Sequence, residues 1–385
     1  MKINYLFLAL SFLAMSACNV TKESVPVDST VYQGFDNGTT NGKELPIDSF
    51  DIVPLETNPS VLLSYIKNVE VNDSIIFVQD AKKHLYGFNR QGKFRCQYGN
   101  RGNAPGEYLA VSSFYIDNSK AEVNIIDEMS NNIHTYDMSG NFLCSNKFPV
   151  ETFAWIQSAY LIDDTHLLCS QYIFNNENAV YSIIDLARKK KTDLCRVAMK
   201  TDNVAQPIGV HPISNSPEGI KCILPFSNKI CSLTNDLQMD STIYVQTELP
   251  IVPEEELKKI EDYNNLSSSL DFMTKGYFTG FTSIFETSRY VVLTILQNNS
   301  YFIVDKNTLH GQQYKKQQEI KELPLIDIYT SYKDMLIGIE DMDKLTWLLQ
   351  SVSKETTDKN LLRLKEVVSN LPDDSNDCVL FYKLK

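Results

Sequence analysis

Eight cysteines, five histidines and the carboxylates placed among them are the side chains with which this sequence could do chemistry, and their spacing decides what each could do. His84, His134, His166, His211 and His310 stand one at a time with no partner at metal-ligand spacing, so neither a metal site nor a cofactor is expected. There is no Gly-x-Ser-x-Gly elbow, and no glycine loop ahead of a helix to cradle phosphate. Asp80 and Asp127 recur 47 residues apart in two similar stretches. Repetition argues for a structural task at a strand end, such as accepting bonds from turn amides, because a catalytic carboxylate has no reason to repeat.

Cys18 is set apart by what precedes it. Lys2 leads into an apolar run over residues 3–15, too short for a spanning helix of about 20 residues, and Ser16 and Ala17 follow as small residues before the cysteine. This is the pattern of a lipoprotein signal, with residues 1–17 removed and Cys18 acylated. Met15 stands where such signals prefer Leu; an ordinary secretory signal cut nearby is the alternative. Seven cysteines remain, an odd number, so at least one thiol is unpaired within the chain. Cys96 and Cys144 hold equivalent places in separate repeats, too far apart for a bridge. Cys222 and Cys231 would face each other across a hairpin turning at Phe226 and Ser227, as a disulfide or as two small buried hydrophobes.

One loop gathers polar groups where they could be presented. Residues 98–108 read Tyr-Gly-Asn-Arg-Gly-Asn-Ala-Pro-Gly-Glu-Tyr, and three glycines with a proline impose sharp turns. Arg101 offers a fixed fork of donors to carboxylates or sugar hydroxyls, and Tyr108 offers a flat stacking surface. With Asn103 and Glu107 they make the candidate ligand-binding set; the alternative is that Arg101 and Glu107 pin the loop to its neighbours. No catalytic residue is singled out.

The elements that must position this loop repeat on either side of it. Ile75 to Val78, Asp80, Leu85, Phe88, Gly92 and Phe94 precede it; Val123 to Ile126, Asp127, Ile133, Tyr136, Gly140 and Phe142 follow at offsets of 47 or 48 residues. A period in that range carried by short strands predicts propeller blades. The stretch containing Val-Gln-Asp, Leu-Tyr-Gly-Phe, Gly-Lys-Phe and the 98–108 loop resembles the NHL-like repeats of bacterial six-bladed β-propeller lipoproteins, over roughly residues 46–147. Most members of that family have no assigned activity. Six units of 47 residues fill the chain from residue 48 onward with about 50 residues over, enough for two short helical insertions.

In chain order, the sequence predicts a signal peptide over residues 1–17, a flexible polar tether over 18–45 and one all-β six-bladed propeller over 46–385. The strand at 47–53 precedes the first repeat. It is expected to pair with residues 378–382, completing the last blade and removing its open edge, whereas loss of residues 19–40 is expected to matter little. Blade three is placed at 155–197, blade four around 221–232 and blade five at 278–314. Blade six begins near residue 325. Helices are expected over 254–263, opened by Pro253, and over 359–371, capped by Asp358 and stopped by Pro372.

Net charge of −12 argues against a nucleic-acid partner, and the basic run 188–191 sits beside turn residues as a solvated hairpin tip. The expected protein is therefore a monomeric outer-membrane lipoprotein, held to the membrane by its lipid alone, that binds a glycan, a peptide or an envelope protein. The alternative is a propeller enzyme acting on a carbohydrate or lactone, of lyase, lactonase or sugar dehydrogenase type, since the fold hosts both. Carboxylates or histidines converging on the channel would mark the enzyme; aromatic and amide groups there would mark the binder.

Overall fold

The computed structural model describes residues 25–36, 45–148, 156–173, 179–199, 209, 211–260, 265–295, 299–315, 327–351, 355–372 and 374–385. The signal peptide and Cys18, and the expected bounds at 155, 263 and 325, fall outside these residues. Six four-stranded antiparallel sheets form the blades of a ring. Blade 1 comprises Ile66–Val71, Ile75–Asp80, Leu85–Asn89 and Phe94–Gln97. Blade 2 comprises Ser113–Asp117, Glu122–Asp127, Asn132–Asp137 and Phe142–Lys147. Blade 3 comprises Ile156–Leu161, His166–Gln171, Ala179–Asp185 and Lys190–Arg196. Blade 4 comprises Ile213–Ser216, Gly219–Ile223, Lys229–Leu233 and Met239–Val245, and blade 5 Phe281–Glu286, Tyr290–Ile295, Ser300–Asp305 and His310–Lys315. In each, the first strand lines the channel and the last faces outward.

Blade 6 is built from both ends of the chain. Ile328–Tyr332, Met335–Glu340 and Cys378–Leu384 supply three strands, and Ile47–Pro54 supplies the outer one, antiparallel to Cys378–Leu384 with Ile52 opposite Leu380. This is the ring closure the sequence predicted. Asn376 clasps the same seam. Its backbone amide donates to Thr57, its side-chain amide donates to the carbonyls of Glu56 and Val61, and its side-chain oxygen accepts from Leu63 N–H at 2.9 Å.

The core is divided among the six gaps between neighbouring blades. Val69, Val78, Ile337 and Phe381 fill the gap between blades 1 and 6; Phe77, Tyr98, Phe114 and Ile125 fill the next. A blade therefore contributes both faces to burial, which is why second and third strands read as near-continuous apolar runs, such as Ile-Ile-Phe-Val at 75–78, with every residue of Ile75–Asp80 buried.

The tether expectation changes at one place. Thr30–Tyr32 forms a fifth strand parallel to Met239–Val245 on the outside of blade 4, and Gln33 bridges to His310 of blade 5. Tyr32 and Phe35 are buried, Phe35 with its ring edge-on to Phe278, Phe281 and Phe302. Residues 30–36 are thus a strap across two blades, and deletion of 19–40 would remove it.

Each helical insertion holds a pair of helices. Glu254–Leu257 and Asn265–Thr274 lie between blades 4 and 5, Met342–Ser351 and Lys359–Val368 within blade 6. The first is a single turn where 254–263 was expected: the Lys258–Glu254 ion pair forms at 2.6 Å, but Leu257 is its one buried residue, too little apolar face to hold a longer helix. Asp358 caps the last as predicted, accepting from Asn360 N–H and Leu361 N–H at 2.8 and 2.9 Å.

Candidate functional site

The channel opens into a cavity of about 780 Å³ at one mouth of the ring, the size of a small-ligand site. Its rim is made by the hairpins that join first to second strands, at Asn72 to Ile75, Asn118 to Ala121 and Ser331 to Lys333. Its wall comes from all six first strands. In blades 1, 3, 5 and 6 the pairing of that strand slips by one residue near its start, so that Lys67, Gln157, Thr282 and Tyr329 have no partner across the ladder. Such bulges re-aim side chains. Tyr329 thereby faces the cavity, donating from its hydroxyl to Ile66 O at 3.3 Å.

Glu70 lines this cavity just inside the rim, half-buried. Its carboxylate accepts from Thr330 Oγ1 of blade 6 at 3.2 Å and from the Tyr160 hydroxyl of blade 3, across the channel, at 3.4 Å. Burial pushes the Glu70 carboxyl up to about 7, and the two hydroxyl bonds only partly oppose it. Burial and the adjoining carboxylate likewise push the Tyr160 hydroxyl well above its ordinary value. Among the described residues no lysine, arginine or histidine lies within ion-pair distance of Glu70. His211 stands in the wall with its ring 5.7 Å from that of Tyr329 and 5.6 Å from that of Phe285. At the rim Asp73 accepts from the Tyr332 hydroxyl and from Lys333 Nζ at 2.5 Å; these two bonds hold its carboxyl below the ordinary range.

The burial of Glu70 has a direct consequence for stability. Its folded value, about 7, lies above its ordinary 4.5. Below pH 4.5 both folded and unfolded chains hold the proton and the site costs nothing. As pH rises through 7 the unfolded chain ionises more readily, and the native state loses on the order of 2 kcal/mol, allowing for water in the channel. Glu70→Gln keeps the acceptor oxygen without the charge. Urea melts are expected to show this variant stabilised relative to wild type at about pH 8, with the gap closing toward about pH 4.5. A gap that does not change with pH would remove the buried charge from the account.

The four loop residues lie elsewhere. The 98–108 crossing enters blade 2 at the end of its first strand opposite the hairpin that forms the rim, so Arg101, Asn103, Glu107 and Tyr108 belong to the other face and none lines the cavity. Within the loop Asn100–Arg101 pairs in parallel with Glu107–Tyr108. Tyr108 is buried and presents no stacking surface, and Glu107 accepts from Ala104 N–H at 2.9 Å, tightening the turn. Arg101 and Asn103 are exposed. Gly106 has φ +80°, and a Cβ there would meet the Phe142 ring at 2.8 Å, so the glycine is required both by conformation and by space.

The repeating aspartates do serve turns. Asp80 accepts from Ser64 Oγ and His84 N–H; Asp127 accepts from Leu109 N–H at 2.7 Å and Ser130 Oγ at 2.7 Å. Burial raises the Asp127 carboxyl, but hydrogen bonds from His134, Ser130 and Leu109 outweigh it and hold the group at about 2. Cys222 and Cys231 stand opposite each other as the turn at Phe226 implies, both buried and not joined in a disulfide. Among the described residues there is no group of three or more His, Cys, Asp or Glu that could hold a metal ion, and no helix is long and apolar enough to cross a membrane.

Comparison with known proteins places the whole ring in one family. The profile of a domain of unknown function, DUF4934, matches residues 30–383. The fold is similar to that of a candidate exported protein of Bacteroides fragilis, with a TM-score of 0.65 and 19% identity over 92% of this chain and 99% of that one. It is also similar to a member of the DUF4221 family from Bacteroides vulgatus, with a TM-score of 0.51 and 10% identity over 89% and 98%. At these identities the likeness is one of fold. No protein of curated function matches the sequence.

Proposed function

The chain belongs to the DUF4934 family, a domain of unknown function, and we propose that it is an exported binding module of the cell envelope whose propeller channel receives a small ligand or the end of a glycan or peptide. The observation that carries this reading is the cavity of about 780 Å³ walled by aromatic and hydroxyl groups from every blade, with Glu70 as the carboxylate inside its rim among the described residues. Hydrolytic or lyase chemistry needs a second acid, base or nucleophile within reach. Asp73 is engaged at the rim by Lys333 and Tyr332, and the His211 ring is packed near those of Phe285 and Tyr329 and not bonded to Glu70, which favours binding over catalysis. Export accords with the description of the Bacteroides fragilis neighbour. The NHL-like resemblance and the small residues before Cys18 support a lipid anchor in the outer membrane; Cys18→Ala is expected to abolish acyl labelling.

The test is a variant that fills the channel mouth. Ser331→Trp places an indole at the rim, and calorimetric titration with envelope glycans and peptides is expected to show ligand affinity reduced at least tenfold while the melting temperature holds. Arg101→Ala with Asn103→Ala, on the other face, is expected to leave affinity unchanged. A ligand that ignores the plug and is lost with the loop pair would move the site to the 98–108 face.

A further inference from the structure

The charge balance of the cavity narrows the chemistry of what it holds, granted that the channel is the binding site. Glu70 is held by two neutral hydroxyls, Thr330 Oγ1 at 3.2 Å and Tyr160 at 3.4 Å. An ionised carboxylate has about four acceptor positions, and two are used here. Carboxylates removed from bulk water are ordinarily matched by a cation of the protein, because an unmatched one is costly. Here no such cation stands within reach among the described residues: Lys333 is committed to Asp73 at the rim, and Arg95, exposed at the mouth, makes no bond to Glu70. The remaining acceptor capacity faces a cavity large enough for a ligand rather than a packed core.

Beside the carboxylate the wall is aromatic. Tyr160 stands against it, and farther along the wall Tyr329 lies beside His211, which also packs near Phe285. A ring face attracts a cation within about 6 Å of its centroid, most strongly where water is excluded. A half-buried carboxylate with a tyrosine ring against it is the complement of an ammonium group. Neither feature alone selects that chemistry: rings also accept sugar faces, and a protonated carboxyl also accepts neutral hydroxyls. The absence of a protein cation beside Glu70 tips the choice, and the chain's net charge of −12 draws cations toward it.

We propose that the channel recognises its ligand through an ammonium group seated against the Glu70 carboxylate and the ring of Tyr160. The ammonium can belong to an amino sugar or to an alkylamine such as a lysine side chain, since the site reads the charge and its hydrogen-bond donors. Entry of the cation fixes Glu70 in its ionised form, so binding near neutral pH releases a proton to solvent. The titratable and charged groups around that event are Tyr115, Tyr160, Tyr329 and His211 in the wall and Asp73, Tyr332, Lys333 and Arg95 at the mouth.

Calorimetric titration of the wild-type chain with cadaverine, glucosamine and, as the neutral counterpart, N-acetylglucosamine tests this, at about pH 6 and about pH 8 in buffers of different ionisation enthalpy. At least one amine is expected to bind at least tenfold more tightly than N-acetylglucosamine, with proton release at about pH 6. Which amine binds tells the sugar source from the alkyl one. Glu70→Gln is expected to lose at least tenfold in amine affinity and to abolish proton release while keeping a cooperative melt. Equal binding of glucosamine and N-acetylglucosamine, or unchanged amine affinity in Glu70→Gln, would overturn the ammonium inference and leave the channel reading standing. Absence of binding by every probe overturns it as well, and the Ser331→Trp experiment then judges the channel reading separately.

Discussion

Deletion of residues 1–53 is expected to yield a chain that does not fold cooperatively, whereas deletion of residues 1–29 should melt like the full-length protein. Ile47–Pro54 pairs with Cys378–Leu384 along its length and buries Ile52 and Val53 against blades 5 and 1. Leu55, fully inside the same seam, loses its anchorage with the strand. Full burial of an aliphatic side chain contributes about 1.5–3 kcal/mol, so these three alone approach the lower end of a domain's total stability of about 5–15 kcal/mol. The deletion also bares the unpaired edge of Cys378–Leu384, a template for association between molecules. Circular-dichroism melts with size-exclusion chromatography check this. The idea fails if the longer deletion remains monomeric with a near-native transition.

Replacement of Phe35 by alanine is expected to cost about 3–5 kcal/mol, the range for removing a buried aromatic side chain. Its ring centroid lies 5.5 Å from Phe278, 6.3 Å from Phe281 and 5.3 Å from Phe302, edge-on in each case, so the cavity left behind is walled on three sides by rings held in their own blades. Val27→Ala is the matched control, since Val27 is fully exposed in the adjoining residues and should change stability by less than about 0.5 kcal/mol. Urea denaturation measures both. Limited proteolysis adds a local readout, because a released strap should be cut before the ring. Equal denaturation midpoints for Phe35→Ala and wild type would return residues 30–36 to the status of a tether.

The ring was legible because its signal is periodic: Asp80 with Asp127, and Gly92 with Gly140, mark two turns of one unit, and closure followed from a strand left over ahead of it. The strap was not, since its docking rests on two aromatic residues, Tyr32 and Phe35, within a segment otherwise polar. Polar composition was taken for freedom. Helices Asn265–Thr274 and Met342–Ser351 escaped notice, the second although Asp341 caps it by accepting from Lys344 N–H at 2.7 Å, much as Asp358 caps the last one. The cavity was the least legible. Tyr160 is 90 residues from Glu70 and Thr330 is 260, so the group exists only once three blades are in place. A partial signal was available: in a propeller the first strand of each blade faces the channel, and Glu70 is the acid placed within such a strand in blade 1. The conspicuous loop at 98–108 drew the reading instead to glycines whose work is conformational, as Gly106 shows.

The Asn376 clasp bears on the order in which this protein can acquire its structure. It joins residues 313 to 320 positions apart, and the outer strand of blade 6 waits for a partner synthesised at the other end of the chain. Blades 1 to 5 can form from near neighbours, but the seam must draw together the two ends of almost the whole sequence, a contact whose chain entropy is spent before any reward arrives. Closure is therefore the late step of folding. A chain delivered through a membrane from its amino end would keep its seam strand unpaired until the last segment emerged, so the first strand of the ring to appear would be the last to find its partner.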